Sequence, residues 1–555
     1  VFDANVPILK YLASLGMLLG KKNIHHQYAH CWRCKNPIIY RATEQWFASV
    51  DGFREAALQA IHTDVQWIPA WGEPRIHNMV ADRHDWCISR QRVWGVPIPI
   101  FYCAECHEPL VTDATIEAVA TCFEKEGSDA WWKHEADELL PKGTKCPKCG
   151  HPHFTKEKDI MDVWFDSGSS HMGVLKTRPE LEWPCAMYLE GSDQHRGWFQ
   201  SSLLTSVAAT GKAPYRSVLT HGYVVDGDGR KMSKSVGNVI APQDIIKQYG
   251  ADIVRLWVAS ADYKQDIRIS KLILKQLTEI YRKIRNTIRY ILGNTSDFDY
   301  AKDKVAFADM QELDQWALMR LQKLKKEVGT AYEEYEFHVL FHAIHNFCAV
   351  EMSSFYLDII KDRLYASRQD DQIRRSAQTA MYEILNDLVV MLAPVLSFTM
   401  EEVWQFMKKP ADAPESVQMQ TWPEVKEEYI NETLEAKYDN FIALRGEVTR
   451  VLEGHRQAKT IGNSLEAKLV LYAEGEALQI LRSVEKDLAA LLIVSQVVLE
   501  EGAAAGEEAT DRADLKVTVK PADGHKCERC WTYSETVGTD PEHPELCARC
   551  AAVVK

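Results

Sequence analysis

The sequence predicts a multidomain protein that combines α/β and all-α parts. Its 555 residues are too many for one hydrophobic core and should form about three to five domains. Short apolar strands alternate with polar turns and helices in the first half, whereas from about residue 271 the apolar positions recur with helical spacing. A mixed pattern returns after residue 423 and ends in closely spaced cysteines.

Composition and charge limit the class of protein. The chain is 46% hydrophobic and 26% charged, as is typical of globular proteins. Its formal net charge of -14 argues against a surface that coats nucleic acid, although a local basic path is compatible with it. There is no apolar run of roughly 20 residues and no basic, apolar leader, so we expect a cytoplasmic protein with no membrane partner. Because the chain begins at Val1 rather than Met, we also expect an N-terminally incomplete sequence.

Cysteine spacing indicates bound metal. Most of the cysteines fall in CxxC pairs, which in a reducing compartment are typical of metal ligands rather than disulfides. The pairs are Cys31/Cys34, Cys103/Cys106, Cys146/Cys149, Cys527/Cys530 and Cys547/Cys550. We interpret the four others as packing residues: Cys87, Cys122, Cys185 and Cys348.

The last two pairs predict a zinc knuckle over residues 525 to 555. Two CxxC pairs separated by a short loop-rich interval provide the four thiolates of a tetrahedral zinc site, and so short a segment needs the metal to fold. The alternative, two redox-active dithiols, lacks the flanking strand and helix that it requires. Aromatic and basic residues give this knuckle either an RNA-contacting face or an ordinary surface: Lys526, Arg529, Trp531 and Arg549.

A second zinc ribbon is predicted over about residues 101 to 155. Cys103 and Cys106 come before a helical stretch from Thr115 to Glu126, and Cys146 and Cys149 follow it. Cys31 and Cys34 have no second pair nearby, so either neighbouring histidines or residues upstream of the sequence would complete a site there. The histidines are His25, His26 and His30.

A strand, a polar turn and a helix predict a ligand site between residues 186 and 204. In open parallel sheets, ligands bind where such turns follow the carboxyl ends of strands. Glu190 in this turn suits an amine, and Asp193 a ribose hydroxyl or an amine. The simpler interpretation is a capped helix start, in which Ser192 or Asp193 accepts from free backbone amides.

A second strand, from Ser217 to Thr220, leads through His221 and Gly222 to a loop over residues 231 to 235. We expect the two strands to be neighbours in one sheet and expect a helix from Ile245 to Ala259 behind the loop. Lys231 and Lys234 lie on this loop, and two flexible ammonium groups suit the charge of a polyphosphate. The alternative is a solvated basic surface loop.

The remaining sequence predicts a helix bundle and a small mixed domain. Apolar stripes support the bundle over residues 271 to 423, as in the stretches from Phe337 to Asp358 and from Met381 to Trp404. A basic series on its first helix either follows a phosphate backbone or is ordinary surface: Lys271, Lys275, Arg282, Lys283, Arg285 and Arg289. Residues 424 to 524 predict a charged helix from Glu424 to Arg456 and an exposed turn or linker from Gly502 to Asp511. The same part of the chain predicts three strands: Leu465 to Tyr472, Ile493 to Leu499 and Leu515 to Val519.

Together these segments resemble the bacterial isoleucyl-tRNA synthetases, a family of class I aminoacyl-tRNA synthetases. The segments that carry the resemblance are HCWRCKNPIIYRATEQWF (30 to 47), DWCISRQRVWGVPIP (85 to 99), DVWFDSGSSH (162 to 171), LEGSDQHRGWFQSSLL (189 to 204) and DGRKMSKSVGN (228 to 238). The resemblance implies that residues 1 to 30 close an editing insertion and that 31 to 270 are the second half of a Rossmann-like catalytic domain. Residues 271 to 423 would then bind the anticodon.

The resemblance also implies roles for individual residues. Lys231 and Lys234 would contact the ATP phosphates, with Mg²⁺ bridging them, and His221 and Gly222 would lie near the nucleotide. The isoleucyl-adenylate and its side chain would be bound by Glu190, Gly191, Asp193, Gln194, Trp164 and Trp198. The implied partners are ATP, L-isoleucine and isoleucine tRNA, and we expect a monomer.

One departure from the family pattern concerns activity. The other ATP signature of the family, His-Ile-Gly-His, occurs nowhere in the sequence. We therefore expect an isoleucine-tRNA ligase in the complete enzyme and neither adenylation nor editing by this chain alone. Two alternatives stay open, a valyl-type synthetase and a zinc-containing module that only binds tRNA.

Overall fold

The computed structural model describes residues 2–31, 34–92, 94–234, 236–502 and 508–555. The chain divides into two compact units, Val1–His221 and Gly222–Lys555. No helix within the described residues is both long enough and apolar enough to cross a membrane.

The first unit is built around a parallel sheet of three strands. The central strand, Tyr215–His221, lies between Gln66–Ile68 and Cys185–Gly191. It is largely buried, as expected of a parallel strand covered on both faces. The outer strand pairs with it in the register Leu189 to Leu219 and Gly191 to His221. The prediction of neighbouring strands is therefore confirmed.

Three helices share the core of this sheet: Arg54–Thr63, Gly72–Ala81 and Trp198–Thr210. The third helix is buried along most of its length, with Phe199 and Leu203 fully inaccessible. It ends at Gly211, whose left-handed φ of 74° suits glycine. This helix directly follows the polar turn, so the packed core fixes where that turn lies.

The predicted ribbon forms a small body of its own within the first unit. Its antiparallel sheet has the order Pro109–Leu110, Phe101–Cys103 and Phe154–Lys156. The helix Asp113–Glu126 begins two residues before the predicted start, because Thr112 accepts a hydrogen bond from the amide of Thr115. The other helices and strands of the first unit are short: Asn5–Ser14, Phe47–Ala48, Trp86–Cys87, Ser89–Arg90, Ala130–Lys133, Ala136–Leu139, Ile160–Met161 and Val163–Gly168.

Helices dominate the second unit up to Gln457. They are Pro242–Tyr249, Ala251–Ala259, Lys271–Asn294, Tyr300–Asp303, Glu312–Glu333, Phe337–Asn346, Leu357–Ile359, Lys361–Ala366, Gln372–Leu392, Ser397–Phe406 and Glu432–Gln457, with the π-helix Phe347–Tyr356. One extended apolar cluster runs through them, as the predicted stripes require.

Three of the predicted helical segments differ from the structure. The helix expected from Ile245 to Ala259 is two helices, because Gly250 adopts a φ of 89° that breaks the first. The stripe from Met381 to Trp404 is also interrupted, at Pro394, which has no amide hydrogen to donate. The charged helix begins at Glu432 rather than Glu424, where Asn431 accepts from the amide of Leu434 at 3.0 Å.

A four-stranded sheet, the helices Gly475–Ser483 and Leu488–Leu492, and the cysteine knuckle complete the second unit. The strand order is Gln496–Glu501, Ala467–Ala473, Leu515–Pro521 and Glu508–Ala509, with only the first pair parallel. Ile493 stands outside the strand predicted for it because its φ is 55°. The knuckle has the paired strands His525–Lys526 and Tyr533–Ser534 and the helix Ala548–Val554. The linker predicted from Gly502 to Asp511 lies partly outside the described residues. Where it is described, the prediction is wrong at Glu508–Ala509, which forms a strand because its backbone pairs with Lys516 and Val517.

Candidate functional site

The carboxyl ends of two adjacent strands bring Glu190 and His221 together. Glu190 Oε2 lies 3.9 Å from His221 Nε2 and accepts a hydrogen bond from the amide of Gly191 at 3.0 Å. Half of the Glu190 side chain is exposed, so its other carboxylate oxygen remains available to a ligand. Glu190 and Gly191 belong to the strand and not to the turn predicted for them, and the strand pairing therefore fixes their backbone.

The predicted polar turn is a 3-10 helix over Ser192–Arg196. Gln194 Oε1 accepts from the amide of Trp198 at 2.9 Å, and its Nε2 donates to Asp193 Oδ2 at 3.2 Å. The simpler interpretation, in which Ser192 or Asp193 caps the helix, is wrong. The first amide of the helix Trp198–Thr210 donates to the side chain of Gln194 instead. Asp193 is exposed.

The side chains of Trp164 and Gln194 both pack closely against the backbone of Gly197. A Cβ atom on Gly197 would lie 2.4 Å from Gln194 Oε1 and 3.0 Å from the Trp164 ring. The two side chains therefore occupy the space that any larger residue would need. Trp164 remains 43% exposed, so one part of its indole faces solvent. Gly197 is not among the predicted site residues. Its position in the sequence between Gln194 and Trp198, which both are, is the one sign of its role.

Trp198 is fixed by stacking and by one hydrogen bond. Its ring lies 3.9 Å from that of Tyr188, with 12° between their planes, and its Nε1 donates to the carbonyl of Ser167 at 3.0 Å. Tyr188 is buried on the outer strand and was not among the predicted site residues. The result is a rigid aromatic wall beside the turn.

The lysine loop begins at a tight turn in the second unit. The strand Val224–Val225 pairs with Ile267–Arg268, and Val225 forms an antiparallel bridge with Lys231. Asp226 Oδ1 accepts from the amides of Asp228 and Arg230 at 3.0 and 2.8 Å. Gly229 has a φ of 82°, which this reversal of the chain requires. The hairpin-like turn is therefore a compact structure organised by one carboxylate.

Asn238 connects that turn to the rest of the loop. Its Nδ2 donates to Asp226 Oδ2 at 2.9 Å, while its Oδ1 accepts from the amide of Ser233 at 2.9 Å. These bonds from Asn238 and then from Arg230 lower the pKa of Asp226 to about 2, so the carboxylate stays charged near neutral pH. Asp226 and Asn238 were not among the predicted site residues, although both stand within or beside the DGRKMSKSVGN segment.

Lys231 and Lys234 project from this loop into solvent. Both are exposed, and within the described part of the chain their ammonium groups make no hydrogen bond or ion pair. Ser235, also predicted as part of the loop, lies outside the described residues.

Gly222 has a separate structural reason to be glycine, because a Cβ there would lie 2.3 Å from the backbone of Gln265.

Two sets of four cysteines have the geometry of zinc sites. Within each set the sulfur atoms all lie within 4.8 Å of one another. Four sulfurs around one tetrahedral zinc lie about 3.8 Å apart, given zinc–sulfur bonds of about 2.3 Å. The observed separations agree: Cys103 to Cys149 3.5 Å, Cys106 to Cys146 3.6 Å and Cys530 to Cys547 3.8 Å. Both predicted sets therefore fit zinc.

The thiols of the ribbon differ in pKa. Amide groups at Cys106 and at Cys149 lower the pKa values of Cys103 and Cys146, the latter to about 6, whereas burial and neighbouring thiols raise the pKa values of Cys106 and Cys149. Cys31 and Cys34 belong to none of the groups of three or more metal ligands that the described residues contain.

The knuckle uses part of its basic face internally. Arg529 donates to the carbonyl of Ala366, and both terminal nitrogens of Arg549 donate to Asp362 at 2.6 and 2.7 Å. Trp531 is 62% exposed, with the Lys526 ammonium 5.4 Å from its ring centre. Of the predicted RNA-contacting face, Trp531, Lys526 and Arg549 are therefore exposed, although Arg549 is paired with Asp362.

Three family profiles match successive parts of the chain. They describe tRNA synthetases class I (I, L, M and V) over residues 17–270, the anticodon-binding domain of tRNA ligase over 314–471, and a zinc finger found in FPG and IleRS over 524–553. Their order agrees with the Rossmann-like, helical and cysteine-rich parts described above. Residues 17–270 belong to the class I tRNA synthetase family.

Within that class the chain is similar to isoleucine–tRNA ligases. It is 57% identical to those of Moorella thermoacetica and Caldicellulosiruptor saccharolyticus and 56% identical to that of Caldanaerobacter subterraneus. Each match covers 100% of this chain and 60%, 59% and 59% of the respective relative. The chain thus spans about three fifths of the length of these relatives.

Proposed function

We propose that this chain forms the larger part of an isoleucine–tRNA ligase. In the proposed reaction the isoleucine carboxylate attacks the α-phosphorus of ATP and pyrophosphate leaves. The acyl group of the adenylate then passes to a hydroxyl of the terminal ribose of isoleucine tRNA, and AMP leaves. The observation that carries the proposal is the placement of Glu190 and His221 at the carboxyl ends of adjacent parallel strands, where ligands bind in such sheets.

The first unit would bind isoleucine and its adenylate. The exposed part of the Glu190 carboxylate suits the amino group of the substrate, and Asp193 suits a ribose hydroxyl or that same amine. Trp164, Gln194 and Trp198 would form the side-chain pocket. The stacking of Trp198 and the close contacts around Gly197 support this role, because a pocket that distinguishes aliphatic side chains must be rigid.

The lysine loop of the second unit would bind the phosphates of ATP. Two exposed ammonium groups on a backbone held by Asn238 can meet the charge that develops on the leaving pyrophosphate. Lys234 and Lys231 would therefore act most strongly in the transition state. Mg²⁺ bound with ATP would supply further positive charge to the phosphates. His221 and Gly222 would lie close to the nucleotide.

The helical part and the knuckle would bind tRNA. The six basic residues of the helix Lys271–Asn294 are all exposed, which suits a phosphate backbone. Trp531 offers an exposed aromatic face for a nucleobase, with Lys526 beside it. Zinc in the two cysteine sets would stabilise the ribbon and the knuckle, and the reduced thiolates that this requires favour the cytoplasm.

An exchange assay tests the proposal. The chain is joined to the portion of the Moorella thermoacetica relative that it does not cover, and this completed protein is assayed for amino-acid-dependent exchange between ATP and pyrophosphate. We expect exchange with isoleucine. Faster exchange with valine would instead support a valyl-type enzyme, and tRNA binding without exchange for any amino acid would support a binding module only.

The isolated chain provides the second arm of this assay. Without the His-Ile-Gly-His element it should bind isoleucine tRNA and should not catalyse exchange. Isoleucine-dependent exchange by the isolated chain would contradict the division of the ATP site between this chain and the remaining portion.

A further inference from the structure

A third cluster of metal-ligating side chains lies on the ribbon, outside its four cysteines. Cys122 and Glu126 are one turn apart on the helix Asp113–Glu126 and therefore share a face. Gly127, with a φ of 77°, ends that helix, and the chain returns through Ala130–Lys133 to His134. A sulfur, a carboxylate oxygen and a ring nitrogen from the three residues all lie within 4.8 Å of one another.

His134 is oriented by carboxylates on both sides. Its Nε2 lies 2.9 Å from Glu126 Oε2, and its Nδ1 lies 3.6 Å from Glu138 Oε2. Glu138 is itself held in place by the amide of Glu135, which donates to Oε2 at 2.8 Å. Histidines that bind a metal through one nitrogen generally donate the other N–H to a carboxylate. Glu138 is placed for that supporting role, and Nε2 then faces the cluster.

An ion pair between His134 and Glu126 does not account for Cys122. Its side chain is half-buried against the apolar core of the ribbon, and its thiol makes no hydrogen bond to any part of the chain that the structure describes. Donor atoms around a tetrahedral zinc lie about 3.3 to 3.8 Å apart, so small rotations of the Glu126 and His134 side chains would complete the geometry. Cys122, interpreted from the sequence as a packing residue, is therefore placed to be a ligand.

We propose that Cys122, Glu126 and His134 bind a zinc-class divalent ion, with the fourth position open to water. One thiolate, one imidazole and one carboxylate match the preferences of zinc, whereas magnesium and calcium favour oxygen ligands alone. The ion connects the end of the helix to the returning segment. The site shares no ligand with the two four-cysteine sets and goes beyond the proposed ligase function.

Cobalt absorption tests this site in the purified full chain. Both four-cysteine sets are first filled with zinc, and every protein carries Cys31→Ser and Cys34→Ser so that this pair cannot contribute. Titration with Co²⁺ alone should then show one further equivalent, with a sulfur-to-cobalt charge-transfer band and the strong visible bands of four-coordinate cobalt. Cys122→Ser should abolish the charge-transfer band, and His134→Gln should weaken binding at least about tenfold.

Two controls keep the result interpretable. Cys185→Ser removes another half-buried cysteine of the same unit and should change neither the band nor the stoichiometry. The zinc content of Cys122→Ser should stay at two per chain; if that variant misfolds, Glu126→Gln and His134→Gln decide the outcome through weakened cobalt binding. Absence of saturable binding, binding without a sulfur band, or unchanged binding in these variants would overturn the proposal.

Discussion

Asn238 donates a hydrogen bond of 2.9 Å from its amide nitrogen Nδ2 to Oδ2 of Asp226, twelve residues earlier in the chain. The same side chain accepts from the amide of Ser233 through Oδ1, so one residue holds both the turn and the middle of the lysine loop. The loop backbone is therefore organised while the Lys231 and Lys234 side chains stay exposed. This arrangement suits a catalytic loop, because its ammonium groups are positioned without being neutralised by protein carboxylates.

Removal of this amide should slow isoleucine activation. Asn238→Ala in the completed protein should lower kcat for exchange about tenfold or more, with little change in KM for isoleucine, because the proposed role of the loop is to bind the phosphates. Val239→Ala, at the next position and 49% exposed, is the matched control and should leave both constants unchanged. An unaltered kcat in Asn238→Ala would mean that the bond to Asp226 does not position the loop.

Gly197→Ala tests the rigidity of the proposed isoleucine pocket. The new Cβ would displace Gln194 or the Trp164 ring, so we expect a raised KM for isoleucine, an unchanged KM for ATP and a loss of about 1–3 kcal/mol of stability. Exchange kinetics and urea unfolding measure these effects. Gly173→Ala is the control, because its Cβ would meet nothing within 4 Å. If the two variants have the same KM for isoleucine and the same stability to urea, Gly197 does not shape the pocket.

His171 should make the first unit sensitive to acid. Burial, and then the nearby Lys176 ammonium, lower the pKa of His171 to about 4, whereas the unfolded value is about 6.5. Between these values the unfolded chain binds a proton that the folded chain does not. The free energy of unfolding should therefore be highest above pH 6.5 and fall as the pH decreases towards 4.

Urea unfolding midpoints at pH 7 and pH 5 measure this dependence. His171→Gln is the matched variant, because its side-chain oxygen can still accept from Trp183 Nε1, which now donates to His171 Nδ1 at 3.2 Å. The variant should lose less stability between the two pH values than the parent. An identical loss would assign the acid sensitivity to other groups.

The terminal knuckle should depend on zinc for its structure. Cys527 is fully buried within a segment that has little other core, so Cys527→Ser should lower the zinc content by one per chain and impair tRNA charging more than exchange. Metal analysis and the two activity assays measure these outcomes. Cys185→Ser should change neither quantity, and unchanged zinc in Cys527→Ser would contradict the site.

The parts of this structure that were predictable from sequence depend on local pattern and fixed chemistry. The CxxC spacing identified both four-cysteine sets, because four thiolates around one zinc impose nearly fixed distances. The strand, turn and helix around Glu190 followed from the alternation of apolar and polar residues.

Long-range contacts were not predictable in the same way. The partner of Arg549 is Asp362, 187 residues away, and nothing near either residue signals that the basic face is used internally. The break at Gly250 was missed because an apolar stripe continues on both sides of it. Gln194 caps a helix start through a side chain four residues earlier, whereas capping patterns favour Ser or Asp at the first position.

The proposed role of the lysine loop is to stabilise the charge of the leaving pyrophosphate during isoleucine activation. The most direct measurement is isoleucine-dependent exchange by the completed protein with Lys234→Ala, beside Lys247→Ala, which removes an exposed lysine from the following helix. We predict a kcat lowered about 100-fold or more for Lys234→Ala, an isoleucine KM within about twofold of the parent, and no change for Lys247→Ala. Equal and small effects of the two substitutions would contradict a catalytic role for the loop.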